Sequence, residues 1–242
     1  MEKYLAGRRA LVVGGSGGIG AAVSVALARR GAQLFIHGGH SLDRLEAVAA
    51  QARGHTAPVA THLQEIVEPG DAGALLDFAG DVDILVVSFG PYLEGLVGET
   101  SPEQWEQMIG LNLNLPALLV SGLLPGMVDR GFGRILLFGG PRTDRNEGYR
   151  QIAAYGAAKH GLASLTRSVA RQYASRNIRC NMICPGYVDT EYYSEEQKTE
   201  IASRQPQGRL ISVDEIATLA VRLLDPASES INGAIIPVDI GV

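Results

Sequence analysis

Short unbroken apolar runs alternate along this chain with longer segments in which apolar residues return every three or four positions. The runs cover residues 9–13, 33–37, 59–63, 83–87, 133–138, 178–183 and 234–238. Strands that are apolar on both sides of the pleat are buried on both faces, the condition of a parallel sheet sandwiched by helices. Helical spacing follows over 21–30, from 41, over 71–78, from 101, over 151–173 and over 212–224. Regular alternation of the two patterns predicts an α/β fold with a doubly wound parallel sheet. Ser101-Pro102-Glu103-Gln104 carries a capping residue, a proline at the first helical position and a glutamine to close the box, and Ser212 to Glu215 marks another helix start. Residues 191–209 are charged and irregular in pattern, so 191–211 is read as a candidate substrate lid.

Bulk composition narrows the function. A length of 242 residues with 46% hydrophobic positions suits one large domain, residues 1–242, with a substantial core. The net charge of -5 supplies no basic stripe and argues against nucleic acid as the main ligand. The first nine residues have no apolar signal core, and no later apolar run is expected to reach the ~18 residues of a spanning helix, so the expectation is a cytoplasmic chain with no membrane partner. Cys180 and Cys184 lie four apart with no second pair, and the five histidines lack ligand spacing, which predicts buried thiols and no metal.

Chemistry enters at the ends of the predicted strands. After the first run come Gly14, Gly15, Ser16, Gly17, Gly18, Ile19 and Gly20, then a helix. Strand, glycine turn and helix in succession let backbone N–H groups approach a pyrophosphate at the positive end of the helix. The second run ends at His37, Gly38, Gly39 and His40, where a dinucleotide domain usually presents an acid to the adenosine ribose. With no carboxylate there, a phosphorylated ribose is less disfavoured, and His40, Ser41 and Arg44 can receive its phosphate. The reading is NADP, with NAD possible; the alternative for these residues is a plain polar turn. Tyr155 and Lys159 stand four apart on one helix, one turn from each other, so the ammonium is expected to lower the phenol's pKa and fit it for acid/base work. Asn112 sits among leucines of a helix, either as a site residue or as a hydrogen-bonded bend residue.

Taken in order, the glycine loop, the 83–90 strand, Asn112, the Tyr155/Lys159 pair, the Asn181 to Thr190 stretch and Pro237 to Gly241 resemble the short-chain dehydrogenase/reductase family, specifically its 3-oxoacyl-carrier-protein-reductase-like branch. The resemblance covers practically the whole chain. It implies a single-domain Rossmann fold of about seven strands with helices on both faces, assembled as a homotetramer or homodimer. It further implies that Tyr155 is the general acid toward a small-molecule carbonyl or alcohol, that Lys159 holds the nicotinamide ribose, and that Asn112 positions a relay water. Gly14, Ser16, Gly18, Ile19 and Gly20 would line the pyrophosphate, His37, His40 and Ser41 the adenosine ribose, Gly90 the adenosine, and Pro185, Gly186, Val188 and Thr190 the nicotinamide. Departures from the family pattern are Val13, Val87-Ser88-Phe89, His62 and, above all, Gly140, where a substrate-binding serine is usual. Thr143 is read either as the substitute or as a plain turn residue, and a backbone amide of Gly140 or Arg142 is the other candidate donor. Two functions follow: an NADP-preferring oxidoreductase, or a divergent family member that senses a dinucleotide or performs non-redox chemistry.

Overall fold

The computed structural model describes residues 2–145 and 147–241. In chain order the elements are β1 (Arg9–Val13), α1 (Gly18–Arg29), β2 (Gln33–Gly38), α2 (Leu42–Arg53), β3 (Val59–Leu63), α3 (Ala72–Ala79), β4 (Ile84–Val87), α4 (Pro102–Ile109) and α5 (Leu115–Asp129). There follow β5 (Gly133–Phe138), α6 (Ala153–Tyr173), β6 (Ile178–Pro185), β7 (Val188–Asp189), α7 (Glu195–Ser203), β8 (Ile211–Ser212), α8 (Val213–Leu224) and β9 (Ile235–Val238).

Seven strands form one parallel sheet in the order β3-β2-β1-β4-β5-β6-β9, as a single-domain Rossmann-type fold requires. Because successive side chains of a strand point to opposite faces, the unbroken apolar runs feed two cores. Leu11, Val13, Leu85, Val87, Ile135 and Leu137 pack with Leu75 of α3, Leu119 of α5 and Leu162 of α6. Ala10, Val12, Leu34, Ile36, Ile84, Val86 and Leu136 pack with Val23 of α1, Leu45 of α2 and Ile216 of α8. Each such valine, leucine or isoleucine, fully buried, contributes about 1.5–3 kcal/mol, so the sheet centre is heavily stabilised. Strand order reverses between β1 and its neighbours β2 and β4, which opens a crevice at the carboxyl ends of the strands.

Three sequence readings need correction. Residues 102–129 run as one helical rod, α4 and α5 joined by a π-turn at Gly110–Asn114. By length and composition that rod could cross a membrane, contrary to the expectation that no apolar segment reaches that size. Its apolar character has another cause, since Leu111, Leu115, Leu119 and Leu123 pack in the core beneath the sheet. The irregular 191–209 segment contains the regular helix α7, started by Ser194 and closed by Gln197 in a reciprocal capping box. Finally, α1 begins at Gly18, inside the glycine loop, rather than at residue 21.

Candidate active site

The glycine loop is shaped by backbone crowding. A Cβ on Gly20 would lie 2.1 Å from the Gly14 carbonyl oxygen, and Gly14 and Gly18 have φ of 79° and 47°, conformations that glycine adopts without strain. Gly38 packs against Ser16 so closely that an added Cβ would stand 2.8 Å from the serine Cβ. The loop thus packs on the end of β2 with no room for a side chain at Gly15 or Gly38.

His37 lies within this junction rather than on its rim. The ring is buried; Nδ1 accepts from Gly14 N–H at 3.2 Å and Nε2 lies 2.8 Å from Gln64 O. An accepting Nδ1 requires Nε2 to carry the proton and donate it to that carbonyl. Burial lowers the pKa of His37, and neighbouring His62 lowers it further against the raising effect of the Gln64 bond. With both nitrogens engaged, His37 positions the glycine loop and is not turned toward a ribose. The residues that do face outward there are His40, 4.0 Å from Glu65, Ser41, which caps α2 by accepting from Arg44 N–H, and Arg44.

A second cluster forms where β4, β5 and α6 meet. Asn112 is fully buried in the π-turn, donates from Nδ2 to Pro91 O at 3.0 Å, and leaves Oδ1 without a hydrogen-bond partner. Asn112 thus sits, as the bend-residue reading expects, at a helix irregularity with its amide bonded to a backbone carbonyl. Gly90 separates the amide from Lys159, since a Cβ there would fall 2.3 Å from Asn112 Oδ1 and 3.2 Å from Lys159 Nζ. Lys159 is buried and donates to Phe138 O at 2.9 Å, with Nζ 5.5 Å from the centre of the Tyr155 ring. Burial brings its pKa down to about 8.

Tyr155 occupies the space beside Gly140. A Cβ on Gly140 would lie 2.6 Å from Tyr155 Cε1 and 2.8 Å from its hydroxyl oxygen. A serine cannot stand here unless the ring moves. Tyr92 packs edge-on against Tyr155 with ring centres 5.3 Å apart. Burial raises the phenol's pKa, and Tyr92 and Tyr149 add to the effect. The expectation that Lys159 lowers the phenol is thus corrected for this structure: its ammonium is bonded to a carbonyl, and desolvation prevails.

Thr143 does arrive at the strand end. It is buried, and its Oγ1 accepts from Gly140 N–H at 3.0 Å. It adjoins Gly139 on the side carrying Cys184, whereas the Cβ direction of Gly140 meets Tyr155. Cys180 and Cys184 are free, buried thiols, each with its pKa raised by burial to about 12. Pro141 is tied to α6 through Tyr149, whose hydroxyl donates to Pro141 O at 2.7 Å while its ring meets His160 edge-on. Pro185, Gly186, Val188 and Thr190 lie at the carboxyl end of β6, where Gly186 N–H bonds Val238 O at 2.9 Å and Thr190 lies over Gly18.

Sequence reading did not foresee that the Glu191 carboxylate covers the glycine loop, beside Tyr192, or that the Ser88 hydroxyl donates to Val13 O at 2.9 Å. No local pattern announces contacts spanning 173 residues. Among the described residues, no three of His, Cys, Asp and Glu come together as metal ligands.

A doubly wound sheet with a glycine loop after β1 and a tyrosine-lysine pair above β5 defines a nucleotide-binding oxidoreductase-type scaffold. Comparison with known proteins makes the class specific. The family model described as enoyl-(acyl carrier protein) reductase matches residues 14–242. D-beta-hydroxybutyrate dehydrogenase of Cupriavidus necator is 31% identical, over 98% of each chain. The 3-oxoacyl-acyl-carrier-protein reductase FabG of Escherichia coli is 30% identical, over 98% of this chain and 97% of its own. The crystal structure of a 3-oxoacyl (acyl-carrier-protein) reductase from Agrobacterium tumefaciens with NADP bound superposes with a TM-score of 0.90 at 28% identity, over 98% of this chain and 95% of that one. The chain belongs to the short-chain dehydrogenase/reductase family.

Proposed function

We propose that the chain is a nicotinamide-dinucleotide-dependent oxidoreductase, NADP-preferring, which reduces a ketone or oxidises the corresponding secondary alcohol. The observation that carries this reading is the convergence of the Tyr155 phenol, the Lys159 ammonium and the Asn112 Oδ1, which has no hydrogen-bond partner, around Gly90 and Gly140, beside a glycine loop whose Gly18 N–H binds a carboxylate at the start of α1. The relatives' names, which include dehydrogenases and reductases of hydroxyl and oxo acids, support the same class.

The residues suit the cofactor. Gly18 N–H already takes a carboxylate, an anion standing in chemically for phosphate oxygen. Gly14, Ser16, Gly18, Ile19 and Gly20 would hold the pyrophosphate, His40, Ser41 and Arg44 the phosphorylated ribose, and Lys159, Pro185, Gly186, Val188 and Thr190 the nicotinamide end; Gly90, which the resemblance put at the adenosine, stands beside Lys159 and so would border the nicotinamide end instead. The bound dinucleotide supplies or accepts a hydride at carbon. Burial keeps the Tyr155 phenol protonated, ready to give its proton to the carbonyl oxygen in the reductive direction. Lys159, with its pKa of about 8, is still charged at neutral pH and stabilises the tyrosinate left behind. Asn112 Oδ1 holds the water that returns a proton. Thr143 is a positioning residue, since its hydroxyl fixes the Gly140 amide.

A broad panel of ketones assayed with NADPH, in wild type and Tyr155→Phe, tests this. Turnover in wild type that falls by about a hundredfold or more in the variant, with dinucleotide affinity retained, is the expected outcome. The second reading, a dinucleotide sensor or non-redox enzyme, draws on Gly140, which lacks the hydroxyl usual at that place. Tight dinucleotide binding with no turnover on any ketone or alcohol would select the sensor; other turnover unaffected by dinucleotide would select the non-redox enzyme.

A further inference from the structure

The cradle that the proposed function assigns to pyrophosphate already has an anionic occupant from the chain itself. Gly18, at the start of the twelve-residue helix α1, donates its N–H to both carboxylate oxygens of Glu191, at 3.1 and 3.2 Å. The same carboxylate lies 3.6 Å from Arg44, the cation placed to receive a ribose phosphate. Glu191 and Tyr192 also close over Gly17, where an added Cβ would meet Glu191 Oε1 at 2.5 Å and the Tyr192 hydroxyl at 3.0 Å. The arch that presents them is stapled, because Lys198 Nζ bridges Asp189 at 2.8 Å and Glu195 at 2.9 Å. One negative side chain therefore engages both a backbone amide at a positive helix end and the guanidinium beside it.

We propose that Glu191 is an intramolecular competitor of the dinucleotide: it holds the 190–192 strap down on the glycine loop, and the dinucleotide must displace its carboxylate from Gly18 and Arg44 to bind. The inference rests on the cofactor reading above. Two like charges cannot share the Gly18 N–H, so entry of pyrophosphate lifts the strap that leads into α7. Release of Arg44 in the same event couples strap opening to recognition of the ribose phosphate. Glu191 is thereby a specificity-determining residue, since NADP regains the Arg44 partner that NAD leaves unused.

Calorimetric titration of wild type, Glu191→Gln and Glu191→Ala with NADP and NAD, joined to amide exchange at Gly18 without added nucleotide, tests this. Removing the carboxylate is expected to tighten NADP binding by about twofold to tenfold, the range of one charge at a helix terminus. Gly18 is expected to exchange faster in Glu191→Ala, and NADP to gain more than NAD. Unchanged or weaker NADP binding in both variants, at unchanged folding by circular dichroism, overturns the competitor while leaving the cofactor assignment intact. Equal gains for the two dinucleotides overturn the Arg44 coupling. A wild-type protein that binds neither dinucleotide removes the cofactor reading itself, and this inference with it.

Discussion

Lys159 is buried at a cost. Its pKa falls from 10.5 to about 8 because the charged form is desolvated. A lysine with a depressed pKa in the folded state binds its proton less tightly there than in the unfolded chain. Stability therefore rises with pH between about 8 and 10.5, and the full penalty applies below pH 8. The shift corresponds to about 3 kcal/mol at neutral pH, against which the bond to Phe138 O returns about 1 kcal/mol. Lys159→Met is accordingly expected to raise Tm at pH 7 by roughly 5 °C, to erase the rise in stability between pH 8 and 10.5, and to abolish turnover. Thermal unfolding across pH checks it, and a variant no more stable than wild type at pH 7 would show that the buried charge costs nothing. Gly140 poses the opposite case. Restoring the family's serine there places Cβ 2.6 Å from the Tyr155 ring. Gly140→Ser is expected to displace the phenol, lowering kcat on the order of tenfold or more and costing about 1–3 kcal/mol in stability from overpacking. A rise in kcat would mean that the ring yields and the hydroxyl takes its usual role.

At the scale of elements, α6 carries the site because its first turns are moulded to the loop before it. Gly156 lies under Tyr149, whose ring atoms would stand 2.3 and 2.5 Å from an added Cβ. Alanine ordinarily gains about 1 kcal/mol over glycine within a helix. Here overpacking of about 1–3 kcal/mol prevails, because Tyr149 is held by Pro141 O and packed on His160. Gly156→Ala is expected to lower Tm, and Tyr149→Ala combined with it to recover part of the loss. A double-mutant cycle reads that coupling, and simple additivity would refute it. The same elements show what sequence could reveal. The strands of the sheet were legible because burial on both faces forces continuous apolar runs, and the family resemblance implied about seven of them in a doubly wound sheet, without their order. Helix α7 was not legible by periodicity, since all nine of its residues stay outside the core, and the capping pair Ser194 and Gln197 was not read as a helix start. Tyr155, Lys159, Asn112 and the glycines were legible as spaced motifs. The inward turn of His37, the ring of Tyr155 against Gly140, and Glu191 on Gly18 were not, because each depends on how distant segments pack.

For the whole molecule, the candidate cofactor residues come from loops after β1, β2, β4 and β6 and from α6, so one ligand would touch both halves of the sheet on either side of the order reversal. Binding to the folded chain alone must then stabilise the entire cooperative unit. At a hundred times its Kd, a ligand adds about 2.7 kcal/mol. For a chain of 242 residues, that corresponds to a Tm rise of roughly 5–10 °C. NADP is expected to produce this shift, and NAD, if tenfold weaker, about half of it at the same concentration. On the proposed reading the difference depends on Arg44 and Ser41 at the start of α2, where Glu191 lies 3.6 Å from Arg44 and exposed Glu65, which follows β3, lies 4.0 Å from His40. Arg44→Ala should therefore narrow the NADP–NAD gap while leaving the NAD shift nearly unchanged. A larger shift with NAD than with NADP would reverse the preference and make Glu65 the acceptor for the ribose hydroxyls. No shift with either would remove the dinucleotide from the crevice altogether.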